Sequence, residues 1–443
     1  MTSAAAASDI RGTRPWAELY WLAGTAVAYG LLAKLILSLC TATGMAPLFW
    51  PGAGLALAAV LLGGPKYVAA IFVGAFAGRL WAGQPPETAA IVAVGSVFEP
   101  LLGAWLLSRK NPFDLSLRTS RAFFRLCFLA AAFSPCLATL TSIGALAATS
   151  DIADADFWPA AVHCWMGDTL GILIVAPLVL VWRQPPSWAL GRLPEVLAVL
   201  AGGFLIGQFV FFDWFLQTLG PLNRGYWLFL VVSWAAVRLG RHGVLLAVFL
   251  TAVQAFVGTA FGLGLFHNDL ALTPFGNYWP WTATLAIVGI SLAIVFSERE
   301  RIAAQLRSSE YRLRVAKNAA GLGVFDHDIA TDQASWDERM RKLWGIGPEE
   351  LATTQMLLAG VHPEDRAATE ATMACSLFPR TDGSNQAVYR VVGRDDGRIR
   401  HVMANWKVLF KNRQPVRMIG TVRDVSEHKR LKQELQERRG EME

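Results

Sequence analysis

Charge is scarce in this chain. Only 17% of its 443 residues are charged, while 54% are hydrophobic. Soluble domains carry about 25% charged residues, so a single water-soluble globule is excluded. Cysteine is scarce too. Cys40, Cys127, Cys136, Cys164 and Cys375 are the five present, and no pair has metal-ligand spacing. This rules out a zinc or disulfide framework and leaves all five reduced or inert. No Gly-Lys-Ser/Thr follows any glycine cluster, which excludes a phosphate loop. No internal repeat and no long low-complexity segment appears. The net charge of +6 reads as membrane topology rather than nucleic-acid affinity, and no nucleic-acid partner is expected.

What remains is unevenly distributed. Trp16 to Phe296 is overwhelmingly apolar and holds 14 of the 17 tryptophans, whereas Ser297 to Glu443 is an ordinary charged sequence. The two-part division is a polytopic membrane half and one soluble module. Residues 1–15 read as a disordered N-terminus, 16–297 as the membrane region, 298–318 as a connector helix, 319–426 as the soluble module and 427–443 as a second charged helix. Ten apolar runs occur near 17–40, 47–63, 66–82, 88–107, 122–148, 158–182, 194–212, 225–239, 242–265 and 278–297. The second, third and eighth are short for a span of about 20 residues, so eight full crossings stand as an alternative to ten. With the N-terminus cytoplasmic, inside connections hold nine Lys or Arg residues and outside ones only Arg79 and Arg224. The outer loop SDIADADFW has three aspartates and no base. Both termini are therefore expected in the cytoplasm.

Past Phe296 the apolar period changes. Ile302, Leu306, Leu313 and Ala316 follow a broken heptad, with Ser309 in one seam position, which fits a short dimerising helix or a plain connector. Residues 319–425 then read as a mixed α/β module. VFDHDI alternates like a strand, DERMRKLWGI is a short helix stopped by Gly345, and a helix follows His362-Pro363-Glu364-Asp365. β-rich runs flank Asp396-Gly397, a strong hairpin signal, and PVRMIGTVRDVS is a last strand before a helix with Leu431 and Leu435 on one face.

Those residues carry a resemblance. Trp336, Leu343-Trp344-Gly345, Val361 through Arg366, Tyr389-Arg390, Asp396-Gly397, Gly420 and Asp424-Val425-Ser426 stand in the order and spacing of a PAS domain. The resemblance implies a five-stranded antiparallel sheet with helices on one face, a sensory and dimerising role and a cytosolic location. The membrane half resembles the first type of membrane-associated sensor domain (the MASE family). The carriers are Phe49-Trp50-Pro51-Gly52-Ala53-Gly54, Phe98-Glu99-Pro100 with the run to Leu107, Trp165-Met166-Gly167-Asp168 with Gly171 and Pro177, and Trp234 through Gly240. Pro100 stands where that family has a small residue. The resemblance implies a bacterial inner-membrane sensor of the kind that precedes histidine kinases and cyclic-di-GMP enzymes.

Ionisable groups inside apolar runs are the candidate site. Asp168, Glu99, His163 and Lys34 sit in or near spans, and Trp165 flanks Asp168. Such groups face the bundle interior and pair with one another, so Asp168 is expected to find a neighbouring helix or Lys34. Two readings stand: structural glue that fixes helix register, or a polar ligand or proton site. In the soluble module, Phe325, Trp344, Trp406 and Ile419 would line a small cavity, or an apolar core would fill the same space. No catalytic residue, metal site or cofactor is identified. No cyclase, phosphodiesterase or kinase nucleotide motif appears. The chain therefore reads as a non-catalytic sensor in the lipid bilayer, a homodimer through its helices, passing a signal to an unknown kinase, cyclase or response partner. The rivals are the input half of a truncated histidine kinase or diguanylate cyclase, and a small-solute transporter.

Overall fold

The computed structural model describes residues 15–43, 47–148, 157–186, 191–215, 218, 224–267, 277–378 and 384–440. The first fourteen residues and Trp188 lie outside them. The chain divides into two compact units, Met1–Ile302 and Ala303–Glu443.

In the first unit the apolar runs are helices: α1 (Pro15–Thr43), α2 (Pro51–Gly63), α3 (Tyr67–Trp81), α4 (Pro86–Ser108), α5 (Ser120–Arg125), α6 (Ser134–Ala148), α7 (Phe157–Trp182), α8 (Leu193–Phe211), α9 (Trp227–Ala260) and α10 (Tyr278–Ala319). Among the described residues seven helices are long and apolar enough to cross a membrane, and α2 and α3 are shorter apolar helices. The count depends on α9, which holds two of the sequence's runs. Gly240 breaks it with φ 59° and ψ −153°, a conformation open to glycine and closed to residues with a Cβ. Val232 and Val244 lie on opposite sides of the break, yet both side chains face Gly289. The two halves therefore fold back on each other as a helical hairpin, 227–239 against 241–260. All ten apolar runs of the sequence thus coincide with helix.

Proline shapes two helices. Between α5 and α6, residues Leu126–Ala132 form a π-helical turn. Pro135 begins the next turn without an N–H for the Ala131 carbonyl and clashes with it, so the helix widens there. Pro100 stands inside α4, one residue past Glu99, and leaves the Ser96 carbonyl without its helical N–H.

The second unit is a five-stranded antiparallel sheet in the order β2-β1-β5-β4-β3, built from β1 (Leu322–Asp328), β2 (Gln333–Trp336), β3 (Ser384–Val392), β4 (Ile399–Lys411) and β5 (Gln414–Asp424). The Asp396-Gly397 hairpin joins β3 to β4, with Gly397 at φ 63°. Helix Glu338–Trp344 starts on Asp337, whose side chain accepts the Met340 N–H, and stops at left-handed Gly345. Helix Pro363–Ser376 follows His362. A further helix, Thr354–Gly360, had no clear signal in the sequence. The end of α10 is tied to this unit by Lys317, whose Nζ lies 2.7 Å from Asp337 Oδ2. The last helix is Ser426–Gly440.

Candidate functional site

A cavity of about 430 Å³ lies inside the first unit. Its lining mixes apolar residues, Leu37, Val92, Ile143 and Leu146 among them, with Arg79, Glu99, Cys164 and Asp168. The contributing segments are the C-terminal half of α1, the approach to α2, the end of α3, the start of α4, the end of α6 and the start of α7. Because consecutive helices reverse direction, these all lie at the end of the bundle opposite Pro15.

Close backbone contacts put the charged groups there. The Trp50 N–H donates to the Gly167 carbonyl at 3.0 Å, one residue before Asp168. A Cβ on Gly171 would collide with the Trp50 carbonyl, and one on Gly54 with the Gly171 carbonyl. The two glycine-bearing motifs of the sequence are thus one joint, α2 against α7, and Asp168 is fixed beside it. On the other side Gly74 and Gly78 of α3 lie against Ala26 and Gly30 of α1, small residues that let helices approach closely in lipid. Gly78 precedes Arg79 and so holds its backbone against α1. The Arg79 guanidinium stacks over the Trp50 ring at 5.3 Å and donates from Nη1 to Gln84 Oε1 at 3.1 Å. Trp50 in turn donates from its indole N–H to the Tyr29 hydroxyl at 3.4 Å.

The acids are buried. Glu99 is 3% exposed and Asp168 7%. Asp168 accepts a long contact from the Cys164 thiol, 3.9 Å to Oδ2. Glu99 Oε1 and Arg79 Nε are buried with no hydrogen-bond partner. Among the described residues Arg79 forms no ion pair with either carboxylate. Buried polar groups are normally satisfied, so two orphans of opposite sign in one pocket are unusual.

The structure brings together three of the five membrane residues singled out from sequence: Asp168, Glu99 and His163 all line the cavity. Lys34 does not pair with Asp168. Its ammonium donates to the Trp81 carbonyl at 2.8 Å and sits over the Trp81 ring at 5.9 Å. Trp165 stands outside the cavity wall. Its indole N–H donates to the Ala132 carbonyl of the π-turn at 3.0 Å, and its ring packs on Trp279 at 5.4 Å. The residue that sequence reasoning missed is Arg79. Two positions from Trp81, at the end of an apolar run, it reads as an outer-loop charge; it is instead inside α3 and half-buried in the site. Removing it from the outer-loop count leaves Arg224 alone there.

A family model described as MASE1 matches residues 21–300, well over half of the chain. The chain belongs to the MASE1 family. A second family model, the PAS fold, matches residues 333–422. Among curated proteins, the probable diguanylate cyclase DgcE of Escherichia coli K12 is 32% identical over 126 residues, 28% of this chain and 11% of that protein. The chain therefore spans about a ninth of this relative's length. Among solved structures, a sensory box histidine kinase/response regulator from Burkholderia thailandensis shares 28% identity over 30% of this chain and 97% of that one, with a TM-score of 0.26. The N-terminal domain of a diguanylate cyclase with a PAS/PAC sensor from Marinobacter aquaeolei shares 15% identity over 24% of this chain and 97% of that one, with a TM-score of 0.21. A MASE1 membrane region followed by a PAS fold makes this a multi-pass membrane protein of signal transduction.

The PAS interior is filled by side chains. Phe325, Trp344 and Trp406 are buried, and Trp336 packs edge-on to Trp344 at 5.4 Å. The Trp344 indole N–H donates to the Leu357 carbonyl at 3.0 Å, and that of Trp406 to Ser376 Oγ at 3.1 Å. The Phe325 ring covers Gly420, where a Cβ would strike it. Ile419 does not share this space. It pairs across the sheet with Asp326 and Lys407, on the opposite face from Phe325 and Trp406, and is 38% exposed. Ile419 thus falls outside the group of four that the sequence placed around one cavity or core. His362 and its neighbours are structural. The imidazole caps its own helix by accepting the Glu364 N–H, and Asp365 grips Arg390 of β3.

Proposed function

We propose that the membrane half of this MASE1 protein takes its stimulus in the cavity at Asp168, Glu99 and Arg79, and that α10 carries the change toward the PAS fold. The single observation behind this reading is the joint of α2 and α7. It sets a buried, unsatisfied acid–base cluster in a 430 Å³ cavity where at least five helices converge. A charged site at such a convergence biases helix packing when it is occupied, which is how a ligand shifts a two-state bundle. Helix α10, 42 residues long, begins in the membrane unit and ends beside the first strand of the PAS sheet.

In the same reading the protein lies in the inner membrane with both termini cytoplasmic, and the cavity opens on the periplasmic side. It acts as a homodimer through α10 and the last helix. Ile302, Leu306 and Leu313 are all more than half exposed, and Leu431 and Leu435 are also left in solvent, as a helix seam awaiting its copy would be. The output is a kinase, a cyclase or a response partner, whether a separate chain or a further domain.

The test is disulfide crosslinking in native membranes of variants with cysteine at Leu306 or Leu431. Crosslinks should form at both positions, and Asp168→Asn should change the yield at Leu306. An absence of crosslinks removes the dimer, and yields that ignore Asp168 remove the cavity as the stimulus site.

A further inference from the structure

The chemistry of the cavity specifies the charge of what it holds. Two carboxyl groups, Glu99 and Asp168, face one guanidinium, Arg79; His163 is the other titratable base on the wall and Cys164 the thiol. Arg79 is already engaged by the Trp50 ring and Gln84. Asp168 has the Cys164 thiol, while the Glu99 carboxyl, nine-tenths and more buried, has an oxygen with nothing to accept from. A buried carboxylate without a partner is among the most unfavourable groups a protein can hold. Protonation alone does not relieve it, because a neutral carboxylic acid also requires a hydrogen-bond partner. One further positive donor would neutralise the cluster and satisfy Glu99 at once.

We infer that this cavity binds a small organic cation, an ammonium group seated between Glu99 and Asp168 with its apolar part against Leu37, Val92, Ile143 and Leu146. The inference rests on the reading of the cavity as the ligand site and adds the ligand's chemical class. A volume of 430 Å³ falls within the about 300–1,000 Å³ of small-molecule sites and far exceeds the ~30 Å³ of a water. The mixed wall suits an amphiphilic amine better than an inorganic ion.

Three probes of matched shape and different charge decide it. The purified full chain in lipid nanodiscs is titrated by equilibrium dialysis with 2-phenylethylammonium, 2-phenylethanol and 3-phenylpropanoate. The ammonium should bind saturably, and the alcohol and carboxylate at least about tenfold more weakly, the size of one charge-assisted hydrogen bond. Glu99→Gln should weaken the ammonium by at least about tenfold. Should that variant fail to accumulate, Ala138→Phe, which fills the cavity, serves in its place and should abolish binding. Equal or tighter binding of the carboxylate, no saturable binding of the ammonium, or ammonium binding untouched by these variants would overturn the inference. Binding without any effect on the Leu306 crosslink would leave the ligand class standing and remove the stimulus role. A crosslink that responds to Asp168→Asn in a protein that does not bind the ammonium would do the reverse.

Discussion

Each unit of this protein carries a knot of acid and arginine, and the two knots are built on opposite principles. In the PAS fold, Arg390 meets Asp365 with a backbone N–H and two guanidinium contacts of 2.7–2.9 Å, and reaches Glu364 at 2.8 Å. The groups are paired, partly exposed and tie helix Pro363–Ser376 to β3. In the MASE1 region, Arg79, Glu99 and Asp168 share a cavity, yet the arginine pairs with neither acid and one carboxylate oxygen is orphaned. The first arrangement holds a fold together. The second leaves interaction free energy unrealised inside the bundle, as the ligand site proposed for this cavity requires.

Breaking the frame of the membrane site should have the largest effect. Gly171→Val puts a branched side chain where the Trp50 carbonyl lies, against backbone that has no rotamer to yield. Overpacking costs typically ~1–3 kcal/mol and more where backbone must move. Size-exclusion profiles of detergent extracts should show little or no monodisperse variant. A well-folded Gly171→Val protein would mean that α2 and α7 are not locked together.

The PAS knot should give a smaller loss. Asp365→Ala removes charge-assisted hydrogen bonds worth about 1.5–3 kcal/mol, discounted for exposure to about 1–2. Urea unfolding of residues 303–443 measures it. The pH dependence has a definite sign. Hydrogen bonds from Arg390 hold the Asp365 carboxyl well below the usual carboxylate range, from an unfolded value near 3.8. A depressed acid gives its full stabilisation above the unfolded pKa and loses it as pH falls through the folded one. Wild type should therefore lose its advantage over Asp365→Ala between pH 4 and lower values, and keep it unchanged from pH 5 to 7.

Glu99→Gln is the sharpest contrast between the knots. It removes a buried charge that has no protein partner, so thermal unfolding of the full chain should show no loss of stability and a shift toward greater stability. A loss as large as that of Asp365→Ala would make Glu99 a structural tie like its PAS counterpart.

Much of this was legible from the sequence, for identifiable reasons. Helical runs of apolar residues and an Asp-Gly hairpin announce themselves through composition alone. Asp168, Glu99 and His163 stood out because they interrupt oil-soluble sequence. Arg79 was hidden by its place near the end of a run, where a base reads as topology. Lys34 misled for the opposite reason: mid-run in sequence, it has a stem long enough to carry its ammonium to the carbonyl of Trp81. The pairing of an exposed carbonyl or ring with a cation leaves no periodic trace. Nor did the helix Thr354–Gly360, a single short turn pair starting from a Thr353 cap.

Ile419 shows how a single residue of register decides a side chain's role. Strand neighbours alternate faces, so the position next to Gly420 is the outside of the sheet when Gly420 lies under Phe325. There Ile419 sits between Asp326 and Lys407. Truncating a core isoleucine costs ~2–5 kcal/mol, whereas surface changes stay within about 0.5. Ile419→Ala should therefore leave the urea midpoint of residues 303–443 almost unmoved, the smallest effect of the set. A loss in the core range would return Ile419 to the interior and reopen the question of a PAS cavity.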